Sequence, residues 1–550
     1  MGPHTGNIAE LLVRCLENEE VEYIFGLPGE ENVYFIEALS HSKKIKFILT
    51  RHEQAASFMA DIYGRLTGKA GVCLATLGPG AINLLLGTAD ANLDSSPLIA
   101  IAAQAGTNRL LKESHQIIDL VKLFEPVSKW SVMLSQAVTT TELVRKAFKL
   151  AESERPGAVA LVIPEDILQQ KISDKPLLRQ FPKLTLPNPE QIKKASEIIN
   201  QGKNVIVLAG AGVYRHHAEK ALEAFVSKTG IPIATTFMAK GVVPDDHPSA
   251  IGTIGFMRHD YTNFGFDKAD VVITVGYDLI EYSPEAWNPQ GDKRIVHIHG
   301  TPSEVDKNYM LSVGIQGDIS ASLNALLKEI HIRKIDNNSI HIREILEQEI
   351  KSHENDGAFP LKPQRIVSDL RKAMGRTDIV LCDTGALKMW MARLYPCYAS
   401  NTCIISNSLA TMAFSLPGAL AAKLVHPDKK VMAVMGDGSF LMNSQEIETA
   451  KREKIPFVIL IWRDNAYGLI GWKQYLDFGH STYVNFTNPD FVKYAESFGI
   501  KGHSIQSANQ LLPTLNQALN SNEIVLIDCP VDYSENQKLT DKLGQLTTGL

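Results

Sequence analysis

The sequence predicts three consecutive α/β domains, each built on a parallel sheet. Three observations carry that expectation. The chain has 550 residues, too many for one core at roughly 150 residues per domain. Short apolar runs alternate with segments of helical period along its length, a pattern that implies parallel strands with both faces covered. Two stretches without periodicity interrupt the alternation. One is 164–189, where Lys175-Pro176, Phe181-Pro182 and Leu186-Pro187 sit among charges; the other is the polar stretch at roughly 334–363. Read as linkers, they divide the chain into domains at 1–170, 188–333 and 360–545.

In the first block the run VEYIFG ends at Leu27-Pro28-Gly29, and a helical pattern follows over 33–39. IKFILT is a strand ending at Arg51-His52-Glu53, with a helix over 55–66. GVCLAT runs into Gly78-Pro79-Gly80 and another helix, and PLIAIAA is a further strand. The second block supplies NVIVLAGAGV, IPIATT, ADVVITVG and RIVHIHG. The third supplies DIVLCDTG, a helical GALAAKLV, KKVMAVMGDG, FVILIWRD and VLIDCP.

Composition excludes several classes. Lys and Arg number 55 against 61 Asp and Glu, so the net charge of −6 gives no electrostatic footprint for nucleic acid. No apolar run approaches the ~18 residues of a membrane span, and the N-terminal residues lack the apolar core of a secretory signal. The six cysteines Cys15, Cys73, Cys382, Cys397, Cys403 and Cys529 form no CxxC pair, which argues against a disulfide framework and a structural zinc site. A cytoplasmic protein with buried thiols is expected.

Chemistry concentrates in the third block. The strand KKVMAVM runs directly into Gly436-Asp437-Gly438, and Asn443 with Glu446 has the spacing of a capping box opening a helix to about Arg452. The next strand, FVILIW, ends at Arg463-Asp464-Asn465. A right-handed crossover returns the chain in the same direction, so Asp437 and Asp464 emerge at one edge of the sheet, where open α/β sheets bind ligands. Two carboxylates beside glycines that admit close backbone approach suit Mg²⁺ holding a phosphate; an exposed turn is the bland reading.

Gly436-Asp437-Gly438, followed after twenty-five residues by Asp464-Asn465, resembles the metal–diphosphate motif of thiamin-diphosphate enzymes. The resemblance implies that Asp437, Asp464 and the carbonyl of Ala466 hold Mg²⁺, although the family usually has Asn where Asp464 stands. It further implies cofactor contacts from Gly436, Gly438, Ser439, Tyr467, Gly468 and Leu469. The segment RHEQAASFMADIYGRLTG is similar to the family's glutamate segment. Glu53 would then hydrogen-bond the cofactor's aminopyrimidine ring, with Pro28, Gly29, Gly78 and Asn83 on the same side. Met412, in Ser406–Pro417, would wedge between the two cofactor rings. On the residues alone, Glu53 also reads as a helix N-terminal acid and Met412 as core filler.

The resemblance narrows to acetolactate synthases. Leu77-Gly78-Pro79-Gly80-Ala81-Ile82-Asn83, Asp94-Ser95, Gln104 and the segment 112–129 carry it, and Gln116 and Lys129 match positions lining the active-site mouth. ADVVITVGYDLIEYSPEAWN and PVDYSENQKL are similar to the catabolic, FAD-independent type. That type implies decarboxylation of pyruvate and joining to a second pyruvate, no FAD, and a homodimer or homotetramer pairing the first block of one subunit with the last block of another. Two departures stand out: Glu30, where the family has Gly or Ala, and Lys473, at a position facing the acceptor substrate. Another thiamin-diphosphate-dependent decarboxylase or carboligase acting on 2-oxo acids is the nearest alternative. A nucleotide-binding oxidoreductase built on Ala209-Gly210-Ala211-Gly212 is a second, and a catalytically silent binding protein a third. His216, His217, His297 and His299 read as strand and surface histidines rather than metal ligands.

Overall fold

The computed structural model describes residues 4–180, 184–256, 260–333 and 337–536, with the side chains of residues 4 and 337–339 left aside. The chain forms two compact units. The first comprises 1–182 with 408–428 and 440–457; the second comprises 183–407, 429–439 and 458–550.

The first unit is built on a six-stranded sheet in the order Lys46–Leu49, Tyr23–Gly26, Gly71–Ala75, Leu98–Gln104, Ala158–Pro164, Trp130–Met133, with every pairing parallel. Its central strands are buried along their whole length, which is why they read as unbroken apolar runs rather than as alternation. Helix Glu53–Thr67 is buried on nearly every side from Ala55 to Arg65, packed against helices Pro79–Leu93 and Ser415–Val425. It starts two residues earlier than its apolar pattern suggests. His52 caps it, with Nδ1 accepting the Gln54 N–H at 3.1 Å, and left-handed Gly68 ends it. Within the stretch expected to be the first linker, Lys171–Asp174 pairs antiparallel with His4–Asn7 in a two-stranded ribbon.

Two further wholly parallel six-stranded sheets lie in the second unit. The central one runs Ala250–Thr253, Ile233–Thr235, Val205–Ala209, Val271–Val275, Arg294–His299, Leu311–Gln316. The other runs Cys403–Ile405, Ile379–Cys382, Val431–Gly436, Val458–Arg463, Val525–Pro530, Lys501–Ser504. Three parallel-sheet α/β domains are therefore present, as the alternation predicts. The second expected linker is different: it contains helix Asn337–Ser352, whose Ile342 is buried and which packs on the edge strand Ala250–Thr253. Charges on its outer face hide that apolar stripe. A buried ion-pair cluster also forms in this unit, where Arg393 reaches Asp260 at 2.7 Å and Glu349 at 2.7 Å.

Close helix packing in the first unit depends on Gly87. A Cβ there would lie 2.7 Å from the Phe58 backbone nitrogen and 2.3 Å from Ser57 Oγ, so the two helices would have to separate. Gly87→Ala is expected to destabilise the protein by about 1–3 kcal/mol, the usual cost of overpacking, as measured by denaturant unfolding.

Candidate functional site

The expected diphosphate-side residues gather at the carboxyl ends of two adjacent strands in the second unit. Strand Val431–Gly436 runs without a loop into helix Asp437–Asn443, so Asp437 stands at the helix start. Its Oδ1 accepts the Gly438 N–H at 2.9 Å; its Oδ2 accepts the Asn465 N–H at 2.7 Å and Asn488 Nδ2 at 2.8 Å. Asn465 takes φ of 58°, which turns the chain back after strand Val458–Arg463. Asp464 Oδ1 accepts the Ala466 N–H at 3.3 Å. Ala466 pairs with Asn485 through bonds that use the Tyr467 N–H and the Asn465 carbonyl, so this pairing leaves the Ala466 carbonyl unengaged.

A buried acid, Asp437, and a half-buried one, Asp464, meet here. Desolvation raises Asp437, and desolvation followed by the charge of Asp437 raises Asp464 well above the usual carboxylate range. A divalent cation would answer that repulsion. Among the described residues no group of three or more His, Cys, Asp and Glu could hold a metal. Two carboxylates and a carbonyl, completed by phosphate oxygens, are nevertheless a sufficient set for Mg²⁺. The floor of the site is tight. A Cβ on Gly468 would fall 2.3 Å from Asp464 Oδ2, and one on Gly438 would fall 2.9 Å from the Tyr467 ring, which packs on Phe486. Ser439 donates to the buried Asp383 at 2.6 Å. The donor set and the close-fitting glycines fit a metal–diphosphate group.

The first unit assembles the other expected residues. Glu53 is the first residue of its helix, and Asn83 Nδ2 donates to its Oε2 at 3.0 Å. A Cβ on Gly80 would sit 3.2 Å from Glu53 Oε1 and 3.1 Å from Thr76 Cγ2; one on Gly29, which follows the exposed Pro28, would strike Thr76 at 2.4 Å. Thr76 in turn donates to Glu31 at 2.9 Å. Glycine at both positions lets the backbone approach Thr76 closely, and at Gly80 it leaves the Glu53 carboxylate uncrowded by a side chain. Gly78 has φ of 55°, and Gln116 lies against it.

Met412 follows a segment held in place by helix Pro79–Leu93: Asp94 Oδ1 accepts the Ser408 N–H at 2.7 Å and Asp90 Oδ1 accepts Thr411 Oγ1 at 2.7 Å. Ala410 and Ala413, on either side, have φ of 54° and 70°. Asn443 does not form the expected capping box with Glu446, because the helix has already begun at Asp437. Its Nδ2 instead holds the Ala413 carbonyl at 2.9 Å.

Lys129 is exposed and engaged with backbone carbonyls. Its ammonium donates to the carbonyls of Leu150, Ser153 and Arg155 at 2.6, 3.0 and 2.7 Å, closing the end of helix Thr140–Glu152. Lys473, more than half exposed, pairs with Asp477 one turn on, and Glu30 is exposed. Asn488, Asp383 and Asp90 carry no motif signal, and the contacts made by Asp94 and Glu446 are not the ones their motifs suggest, since these roles depend on contacts distant in sequence.

In the central domain the loop Ala209-Gly210-Ala211-Gly212 has its amides occupied. Gly210 and Gly212 donate to Val275 and Gly276 carbonyls, while Ala211 donates to both oxygens of the buried Glu281 at 3.0 Å. Glu281 also accepts from Thr236 at 2.5 Å and from the Asp278 N–H at 3.1 Å. His297 lies in the core, bonded to Tyr309 at 2.9 Å.

Three family models match in succession: the N-terminal TPP binding domain of thiamine pyrophosphate enzymes over residues 6–123, their central domain over 192–326, and their C-terminal TPP binding domain over 383–529. The chain is 36% identical to an acetolactate synthase of Bacillus subtilis, over 97% of this chain and 95% of that one. It is 33% identical to a catabolic acetolactate synthase of Raoultella terrigena, covering 98% and 97% of the two chains. A putative thiamine pyrophosphate-containing protein of Bacillus subtilis is also 33% identical, over 94% and 90%. The chain belongs to the acetolactate synthase family of thiamine pyrophosphate enzymes.

Two predictions follow from these geometries. Gly468→Ala should push the Asp464 carboxylate aside and weaken thiamin diphosphate binding in Mg²⁺ by about tenfold or more, on the scale of 1.4 kcal/mol per decade, read by calorimetry. Because the displaced group is the end of a side chain, the unfolding midpoint should hardly move. Burial pushes the Glu446 carboxyl up to about 7, against hydrogen bonds from Thr449 and the Arg51 and His52 amides and with Glu448 nearby. Its folded value lies above its unfolded one, so its stabilising contribution is present below the unfolded value and is lost as pH rises through about 7. The fall in Tm between about pH 5 and about pH 8 should therefore be shallower in Glu446→Gln than in the parent protein.

Proposed function

We propose that this protein is an acetolactate synthase that decarboxylates one pyruvate and joins the remaining two carbons to a second, giving 2-acetolactate and CO₂. The observation that carries this reading is the Glu53 carboxylate. It opens a buried helix, is held by Asn83, and lies where a side chain at Gly80 would crowd it, in a chain resembling acetolactate synthases over nearly its full length.

Thiamin diphosphate, when bound, supplies a nucleophilic carbon and an electron sink that no side chain offers. The chain's own residues bind, orient and move protons. Asp437, Asp464 and the Ala466 carbonyl would hold Mg²⁺, and through it the diphosphate, with Gly436, Gly438, Ser439, Tyr467, Gly468 and Leu469 lining that end. Glu53 would share a proton with the pyrimidine ring nitrogen. Met412 would keep the two rings bent together, on a segment fixed by Asp90 and Asp94. Pro28, Gly29, Gly78 and Asn83 line the pyrimidine side, and Gln116 stands where substrate enters. Lys129, placed with Gln116 by the resemblance, also holds the end of helix Thr140–Glu152.

The residues that would grip the ring and those that would grip the diphosphate come from different blocks, so we propose an obligate homodimer or dimer of dimers. A fully active monomer in sedimentation would contradict it. No FAD is expected: the glycine-loop amides that a nucleotide phosphate would need are already taken, that of Ala211 by the Glu281 carboxylate and those of Gly210 and Gly212 by the Val275 and Gly276 carbonyls. Among the described residues no helix is long and apolar enough to cross a membrane, and all six thiols are free and buried, which fits a cytoplasmic enzyme.

The likeness to the thiamine pyrophosphate-containing protein favours one second reading, a decarboxylase or carboligase for another 2-oxo acid. Incubation with pyruvate, thiamin diphosphate and Mg²⁺ decides between them: acetolactate supports the first reading, and free acetaldehyde alone the second. Glu53→Gln should lower kcat by at least about 10²-fold, the scale of a lost proton-transfer group, with cofactor affinity changed far less. Unchanged turnover refutes the role.

A further inference from the structure

Glu446 begins the short helix Glu446–Arg452 and is fully buried. Its carboxylate reaches the two residues immediately before Glu53. The Arg51 N–H donates to its oxygens at 3.0 and 3.2 Å, the His52 N–H donates as well, and Thr449 Oγ1 donates at 2.7 Å. The same helix grips the other end of this turn, where Arg452 donates to the Leu49 carbonyl, and the adjoining Glu453 pairs with Lys46 at 2.8 Å. Thr50, between these anchors, donates its N–H to Gly26 at 3.1 Å. The three residues joining strand Lys46–Leu49 to helix Glu53–Thr67 are thus clamped at each step, and Glu446 provides the last clamp before the reacting side chain.

A buried acid that only filled space would not need to face two backbone donors. A carboxylate bonded to charge-free N–H groups makes strong, directional contacts, and removing it leaves those part-buried donors without their partner. We propose that Glu446 is a positioning residue whose carboxylate fixes the Arg51–His52 turn and thereby aims Glu53 at the cofactor ring. The inference rests on the reading of Glu53 given above and extends it. A displacement of about 1 Å in a catalytic group costs on the order of 10²-fold in rate, so a loosened turn would be felt in chemistry before binding.

The test compares Glu446→Ala and the isosteric Glu446→Gln with Glu53→Gln and the parent protein, using two readouts besides turnover. Hydrogen–deuterium exchange of the apoprotein, followed by mass spectrometry over residues 50–54, reports the turn directly. Exchange of the thiazolium C2 proton in the loaded protein reports the action of Glu53. Amide exchange at 51 and 52 should be at least about tenfold faster in Glu446→Ala and less so in Glu446→Gln, where one acceptor oxygen remains. C2 exchange and kcat should fall together by roughly 10- to 100-fold, with KM for pyruvate within about twofold. Unchanged protection at 51 and 52 overturns the proposal, as does faster amide exchange with C2 exchange intact; if Glu446→Ala does not fold, Glu446→Gln decides by the same measures. Unaltered C2 exchange in Glu53→Gln would instead overturn the reading of Glu53, a result distinguishable from failure of the turn because amide exchange is scored without cofactor.

Discussion

The constraint that governs this molecule is the direction of its strands. Three six-stranded sheets are parallel throughout, and each buries both faces under helices. Side chains in the middle of such strands can only pack. Polar chemistry is confined to the ends, and right-handed crossovers put every carboxyl end of a sheet on one edge. Asp437 and Asp464 follow adjacent strands for that reason, and the surroundings of Glu53 are built from the segments that follow strands Tyr23–Gly26, Lys46–Leu49 and Gly71–Ala75.

A second regularity is how buried acids are held. Asp437 lies on the amides of Gly438 and Asn465, Glu281 on those of Ala211 and Asp278, and Glu446 on those of Arg51 and His52. Backbone donors give a carboxylate direction without bringing a mobile counter-charge. Desolvation still raises all three acids. Ionising them works against folding stability, and that cost is accepted where geometry matters, at the candidate diphosphate site and the turn before Glu53. At the glycine loop the same device fills an anion cradle from within.

Much of this was legible in the sequence, for physical reasons. Central strands such as Leu98–Gln104 and Val458–Arg463 are buried on both faces and announce themselves as apolar runs. Two of the edge strands do not: Leu311–Gln316 alternates in burial and Lys501–Ser504 contains no large apolar residue. Strand Ala158–Pro164 carries the full apolar signal and belongs with the first group. Asp437 and Asp464 were recoverable because both are fixed locally, each just past its own strand. The contacts of Glu446 and Asp94 were not, since their partners Arg51 and Ser408 lie hundreds of residues away. The spacing of Asn443 and Glu446 imitates a capping box, but each side chain turns to a distant backbone group instead.

The make-up of the first unit has a consequence for synthesis. Helix Glu53–Thr67 is covered in part by helix Ser415–Val425, and its leading turn is clamped by Glu446. Residues 1–182 therefore leave the ribosome well before their last partners, which end at residue 457. At about 5–20 residues per second the gap amounts to roughly 15–55 s, during which an apolar helical surface waits without its cover. Folding of this unit is thus tied to completion of most of the chain, and the nascent protein presents a sticky face to whatever chaperones attend translation.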